Sequence, residues 1–384
     1  MKKLIKNAAI SLDNEIVSVN IIIENGKITG VSREKITDGI NDTEIIDADN
    51  NLLIPGMIDV HIHGANNHDM MDGTEESIQV VSEECAKTGC TSFLVTSVSS
   101  SIEDLLKMIE CVQKTVGEER GALIAGIHLE GPYLNPEKKG MQNEKYLRHP
   151  DIKEMELILS KAGSLVKMIT IAPELPGGFE LVEYLRKKGI IVSIAHSGAT
   201  YEEAKHAFEL GAEHITHCFN AMPQIHHRDP GLIVAAFEEE KVSLQAIIDG
   251  IHLHPAIVRL MYNIKGADKM VLITDALQAM NAGDGEYMFG GHHVKVENGV
   301  ARLADGTLAS STVTMNKALK LSVEMGVTLH DAIKMASKTP AEILGISGKG
   351  QIKNGYDADL VLLDKDFNVV WTMINGNIMD FSRK

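Results

Sequence analysis

Six residues of this 384-residue chain combine side-chain types and positions that could do chemistry: His61, His63, Glu130, His196, His217 and Asp275. Imidazole and carboxylate groups both ligate divalent cations and move protons near neutral pH. His61 and His63 stand two apart in an apolar run, so on a strand both rings leave the same face and can grip one ion. Glu130 closes His128-Leu129-Glu130-Gly131-Pro132, where a lone carboxylate is costly unless paired or coordinating. His196 and His217 close two further apolar runs, ahead of Ser197-Gly198 and Cys218-Phe219-Asn220. Mixed imidazole and carboxylate donors suit Zn²⁺ or Fe²⁺ better than Mg²⁺ or Ca²⁺, which prefer oxygen shells. The donor count permits one or two ions, with Glu130 as the bridge across a separation of about 3.5–4 Å. Asp275 ends Val271-Leu272-Ile273-Thr274, and a carboxylate beside an activated water can take its proton and return it to a leaving group. Residue by residue, blander roles stay open: core histidines, a capping or salt-bridged Glu130, a structural or ligating Asp275.

Such distant residues can meet only if the fold gathers them. Apolar, β-branched runs predict strands at Met57 to Ile62, Thr91 to Ser97, Leu123 to Leu129, Val166 to Ala172, Ile190 to Ala195, His214 to His217, Leu244 to Asp249 and Met270 to Thr274. Between them lie helix-period stretches such as Glu75 to Lys87, Ile102 to Val116, Gly178 to Lys188 and Glu202 to Leu210. Eight short apolar strands with crossovers predict an α/β fold, a (β/α)₈ TIM-like barrel, whose strand ends converge on one mouth. An open doubly wound sheet is the competitor, because periodicity does not report closure. The Asn25-Gly26 turn after Ser18 to Glu24 and the strand pattern from Ala358 to Ile374 place β structure at both termini. The expected division is a small β domain from 1–54 plus 346–384 and a metal-binding barrel over 55–345. A hairpin from His293 to Leu303, turning at Glu297-Asn298-Gly299, interrupts the last crossover.

Composition narrows the function classes. Lys and Arg total 37 against 53 Asp and Glu, a net charge of −16, which argues against nucleic acid or an anionic membrane as partner. No run approaches the roughly 18 apolar residues of a membrane span. Lys6-Asn7 interrupts the N-terminus before a signal-peptide core develops. Cys85, Cys90, Cys111 and Cys218 form no CxxC pattern and read as free thiols. A cytoplasmic enzyme is the expectation. His68-Asp69 and His292-His293 read as solvent-facing, Lys138-Lys139 as an exposed face or as added positive potential near the mouth, and the 18 methionines as core filling.

The sequence resembles the amidohydrolase superfamily, and within it the N-acetylglucosamine-6-phosphate deacetylase family. PGMIDVHIHG, HLEGPYLNPEKKG, AHSGAT, THCFNAM, HHRDPG, DGIHLHP, LITDAL and DGTLASS occur in that family's order along nearly the whole chain. The resemblance implies a β-sandwich for the two-piece terminal domain and a metal-dependent hydrolase barrel, with metal ligation by Glu130, His196 and His217, His61 and His63 as the extra ligands of two-ion members, and acid/base catalysis by Asp275. It implies a phosphorylated N-acetyl amino sugar as substrate, held by Asn220, Ala221, Arg228, His252, the backbone near Met141, and Leu308, Ala309 and Ser310. It further implies a homodimer in which Arg228 reaches the neighbouring site; a guanidinium is a planar fork for phosphate oxygens.

The sequence departs from that pattern at Gln142, where many relatives carry a histidine. Sibling chemistries fit less well: the fourth strand ends Ala172-Pro173-Glu174 without a bridging lysine, and His196 is followed by Ser197-Gly198-Ala199-Thr200 without a deaminase glutamate. The galacto epimer of the substrate and a catalytically silent assembly module are the alternatives.

Overall fold

The computed structural model describes residues 2–12, 14–34 and 42–381. Eight parallel strands, Met57–Ile62, Cys90–Thr96, Leu123–Glu130, Val166–Ile171, Ile191–Ile194, His214–Ile215, Ser243–Ile247 and Met270–Ile273, pair each with the next in chain order. The seam between the first and last closes through the Asp275 N–H to the His61 carbonyl at 2.8 Å and the His63 N–H to the Ala276 carbonyl at 2.9 Å. Asp59 seals it from within: its carboxylate accepts from the His61 N–H at 3.1 Å, the Thr274 N–H at 3.3 Å and Thr274 Oγ1 at 2.6 Å. The competing open sheet is thereby excluded. Every residue of the first, second and seventh strands is buried, as expected for strands covered on both faces.

Helices fill the crossovers where the apolar spacing places them. Glu75–Lys87 begins at Thr74, whose hydroxyl accepts from the Ser77 N–H, and Tyr201–Leu210 begins with a reciprocal capping box between Thr200 and Glu203. Such side-chain caps satisfy N–H groups that the first helical turn leaves unpaired. The four cysteines are buried and free. Among the described residues no helix is long and apolar enough to cross a membrane.

Strands from both termini form one further sheet. Lys2–Leu12 pairs with Glu15–Glu24, which pairs with Lys27–Ser32; Leu52–Pro55 pairs with Leu360–Leu363, and that strand with Val369–Ile374. Ile5, Val19, Ile21, Ile23, Leu53, Leu360 and Met373 make a separate apolar core beneath it. The expected hairpin in the last crossover is present as His292–Glu297 and Val300–Arg302, with Gly285–Phe289 as a third strand. Phe289, Val294, Val296 and Ala301 pack that insertion against Val98, Met141, Leu277 and Ala309, which sets it over the barrel mouth.

Candidate active site

All six proposed residues lie at the C-terminal ends of barrel strands, the face on which active sites of this architecture are built. Glu130 is the last residue of its strand, and His196, His217 and Asp275 stand two residues beyond Ile194, Ile215 and Ile273. Those three leave the sheet with φ of 46°, 28° and 49°, in the left-handed region that non-glycine residues rarely adopt. The sharp bend turns each side chain inward across the mouth. Gly64, after His63, is required by a close approach: a Cβ there would sit 2.4 Å from the His68 carbonyl oxygen.

The side chains converge on one buried cluster. Glu130 Oε1 lies 2.9 Å from His217 Nε2, 3.5 Å from His196 Nε2 and 3.6 Å from His61 Nε2, while Oε2 lies 3.6 Å from His63 Nε2. Asp275 Oδ1 lies 3.2 Å from His63 Nε2 and 3.6 Å from His61 Nε2. The donors form two triads, His61–His63–Asp275 and Glu130–His196–His217, each with ligand atoms within 4.8 Å of one another. Outer nitrogens are anchored: His61 Nδ1 on Gln245 Oε1 at 3.0 Å, His63 Nδ1 on the Thr96 carbonyl at 3.3 Å, His196 Nδ1 on the Lys138 carbonyl at 2.9 Å. Protons held on Nδ1 by those oxygens leave Nε2 lone pairs aimed at the cluster, the arrangement of ligating histidines.

Electrostatics agree with a cation in the middle. Burial alone pushes the Asp275 carboxyl up, but His61 and His63 outweigh it and hold it at about 2. Burial acts likewise on Glu130, and the surrounding imidazoles drive it well below the carboxylate range. Burial pulls His61 down to about 4 against the pull of Asp275 and Glu130. His63 goes the other way, to about 9, because the two carboxylates overcome its burial. His61 Nε2 and His63 Nε2 are 3.0 Å apart, and His217 Nδ1 is buried without a hydrogen-bond partner among the described residues. Two carboxylates and four imidazoles, with no lysine or arginine ion pair to them among the described residues, fit a divalent metal ion.

A cavity of about 300 Å³ opens over this cluster, lined by Glu130, His196, His217 and Asp275 together with Met141, Asn220, Ala221, His252, Leu308 and Ser310. His61 and His63 lie beneath its wall, 0% and 2% exposed. Ser310 Oγ donates to Asp275 Oδ1 at 3.2 Å. His252 is held by Asp249, through Nδ1 to Oδ2 at 2.7 Å and the backbone N–H to Oδ1 at 2.8 Å. Ala309 is fully buried behind the lining. Arg228 is not in this wall; it sits on an exposed loop with Nη1 2.7 Å from His227 Nε2.

Several contributors were not singled out from sequence. Gln142, noted only as a departure, lines the cavity and donates from Nε2 to Glu130 Oε2 at 2.5 Å while its oxygen accepts the Ser99 N–H at 2.8 Å. Arg302, on the insertion, also lines the cavity; its Nη1 donates to the Gly306 carbonyl at 2.8 Å and it makes no ion pair among the described residues. Glu174 accepts from Ser197 Oγ at 2.7 Å and the Gly198 N–H at 2.6 Å, bracing the loop after His196. The signal that could have found Arg302 is its place three residues before Asp305 in the strand that leads into DGTLASS. Of the residues read as solvent-facing, Asp69 is buried and caps the short helix Met70–Asp72; Lys138 serves the site through its carbonyl alone.

Comparison with known proteins agrees with this geometry. Residues 52–379 match the model of the amidohydrolase family. The chain is 36% identical to an N-acetylglucosamine-6-phosphate deacetylase of Bacillus subtilis, covering 99% of this chain and 98% of the relative. It is 35% identical to an N-acetylgalactosamine-6-phosphate deacetylase of Escherichia coli O157:H7, covering 88% and 90%. A variant of the Mycobacterium smegmatis N-acetyl-D-glucosamine-6-phosphate deacetylase, solved in complex with N-acetyl-D-glucosamine-6-phosphate, superposes with a TM-score of 0.91 at 31% identity over 99% of both chains. A closed eight-stranded barrel with its metal donors on the strand ends, matched over its whole barrel by one family, makes this chain a member of the amidohydrolase family.

Proposed function

We propose that this chain removes the acetyl group of N-acetylglucosamine-6-phosphate, giving glucosamine-6-phosphate and acetate in amino-sugar catabolism. The observation that carries the reading is the convergence of Asp275 and Glu130 on four imidazoles at the floor of a cavity whose rim bears Asn220, His252 and Arg302. A divalent ion, Zn²⁺ or Fe²⁺, held by Glu130, His196 and His217, with a second at His61 and His63, would polarise the amide carbonyl and lower the pKa of water from about 15.7 toward about 7.

The chain's own residues handle the proton and the sugar. Asp275, held ionised, accepts a proton from the attacking water. Its contacts from His63, His61 and Ser310 all fall on Oδ1, which leaves Oδ2 to take that proton. As the carbon–nitrogen bond breaks, the same carboxyl returns the proton to the departing amine, and acetate is the other product. Burial keeps bulk water from competing for the site.

Phosphate recognition falls to His252, with Asn220 and the Ala221 backbone beside it. Arg302 adds a guanidinium from the same subunit, and Arg228 one from the neighbouring subunit of a homodimer. The exposed position of Arg228, outside its own cavity wall, supports that division. The enzyme is assigned to the cytoplasm. The galacto epimer is kept as a second substrate because one relative is a deacetylase of it.

The test is acetate release from N-acetylglucosamine-6-phosphate, its galacto epimer and the unphosphorylated sugar, with metal content measured on the same preparation. Preference for the phosphorylated gluco sugar supports the reading. A faster galacto reaction transfers the assignment to that epimer. Bound metal without acetate release from any of them overturns it and leaves the silent assembly module.

A further inference from the structure

Gln245 lies fully buried in the seventh strand (Ser243–Ile247), and nothing in the mechanism above uses it. Its Oε1 is 3.0 Å from His61 Nδ1 and 3.3 Å from the backbone nitrogen of His217, while Nε2 donates toward Met168 Sδ at 3.5 Å. A backbone N–H can only donate, so the amide must present oxygen to His217; turned over, it would set its NH₂ against a buried donor. That same oxygen has no proton to give His61. Nδ1 of His61 must therefore carry the proton, and the neutral ring presents its lone pair at Nε2, the atom that faces His63, Glu130 and Asp275.

We infer that Gln245 is a positioning residue that fixes the tautomer of His61 and joins the two donor triads through one oxygen atom. The fixed donor on His217 orients the amide, the amide orients the proton on His61, and His61 then offers its triad the correct nitrogen. His63 and His196 do not share this dependence, because backbone carbonyls of Thr96 and Lys138 hold their outer nitrogens. His61 is the histidine of the cluster whose proton is set by a replaceable side chain.

The experiment uses the full-length protein labelled with ¹⁵N-histidine, zinc-loaded and after chelation, in wild type, Gln245→Leu and Gln245→Glu, with His61 resonances assigned through His61→Gln. Wild type and Gln245→Glu, which keeps an acceptor, are expected to show His61 protonated at Nδ1 with and without metal; Gln245→Leu is expected to lose that signature once metal is removed. In parallel, Co²⁺ titration after chelation, followed by visible absorption, should show affinity in Gln245→Leu lowered by roughly 10–100-fold, the usual effect of losing such a support, and restored in Gln245→Glu. Protonation at Nε2 in the wild type overturns the inference, and that measurement needs no variant to fold. Unchanged Co²⁺ affinity and spectrum in a folded Gln245→Leu also overturns it. Both readouts need no sugar, so they stand or fall separately from the proposed substrate.

Discussion

Two sets of buried carboxylates in this molecule are neutralised in opposite ways. In the terminal sheet, Asp359, 5% exposed, is paired with Lys349, accepts the Asn375 N–H at 2.7 Å, and has Asp357 beside it, which pairs with Lys349 at 3.4 Å and with Lys27. At the barrel mouth, Glu130 and Asp275, 2% and 7% exposed, face imidazoles and amide or hydroxyl donors, and no lysine or arginine pairs with either among the described residues. The sheet carries its counter-charges in its own sequence. The mouth leaves that place for a cation from solution. Between these two sets, the structural and the catalytic carboxylates differ less in burial than in whether the chain supplies their cation.

Chelation should break the contrast most completely: removing metal takes acetate release to background while circular dichroism and the terminal sheet are unchanged, and adding back Zn²⁺ or Fe²⁺ restores it. Asp275→Asn should lower kcat by roughly 10²–10⁴, the usual contribution of a positioned general base, with metal content at the wild-type level; wild-type turnover would remove Asp275 from its role. The sheet should respond in the reverse sense. Lys349→Met strands the buried Asp359, while Asp357 keeps Lys27, and should cost about 3 kcal/mol of unfolding free energy, with kcat of the folded fraction unchanged and part of the loss regained by adding Asp359→Asn.

Arg302, a cation at the mouth without a carboxylate partner among the described residues, sharpens the comparison from the other side. Arg302→Ala should raise KM for the phosphorylated sugar about tenfold, as loss of one charge-assisted hydrogen bond does, and leave KM for the unphosphorylated sugar alone. The smallest effect belongs to Asp249, whose burial is outweighed by His252 so that its carboxyl lies below the ordinary value. A lowered folded-state pKa contributes stability above the unfolded value of about 3.9 and loses it as pH falls through the lowered one. Asp249→Asn should therefore melt below wild type at pH 7, by about 1 kcal/mol, and the two melting curves should converge in acid.

The barrel was legible because strands covered on both faces are apolar throughout, so a histidine or acid at their ends stands out. Glu130 and Asp275 are the clearest cases. The same rule is blind to polar residues inside those strands. His128 shares the Leu123–Glu130 strand yet belongs to an internal chain with the Val60 carbonyl and Thr170 Oγ1, and Asp59 and Gln245 acquire meaning only once closure brings partners 215 and 184 residues away. The sixth strand ends at Ile215 rather than His217, because the positive φ at His217 breaks the ladder and apolar patterning does not record a backbone turn. Gly285–Phe289 was missed since its glycine-rich approach reads as loop. Arg302 alternates on a hairpin like any surface residue, and only the fold of that insertion over the mouth gives it a site to face.

The positive φ values at His196, His217 and Asp275 have a consequence for anyone selecting this protein for heat resistance. Each such residue costs on the order of 1–3 kcal/mol, and glycine, with no Cβ, meets no such cost. Replacing these residues with glycine should relieve the strain, so dead variants would outlast the working enzyme in a heat challenge. A library screened on survival alone would drift toward inactivity, and only a screen that also reads turnover would keep the lineage alive.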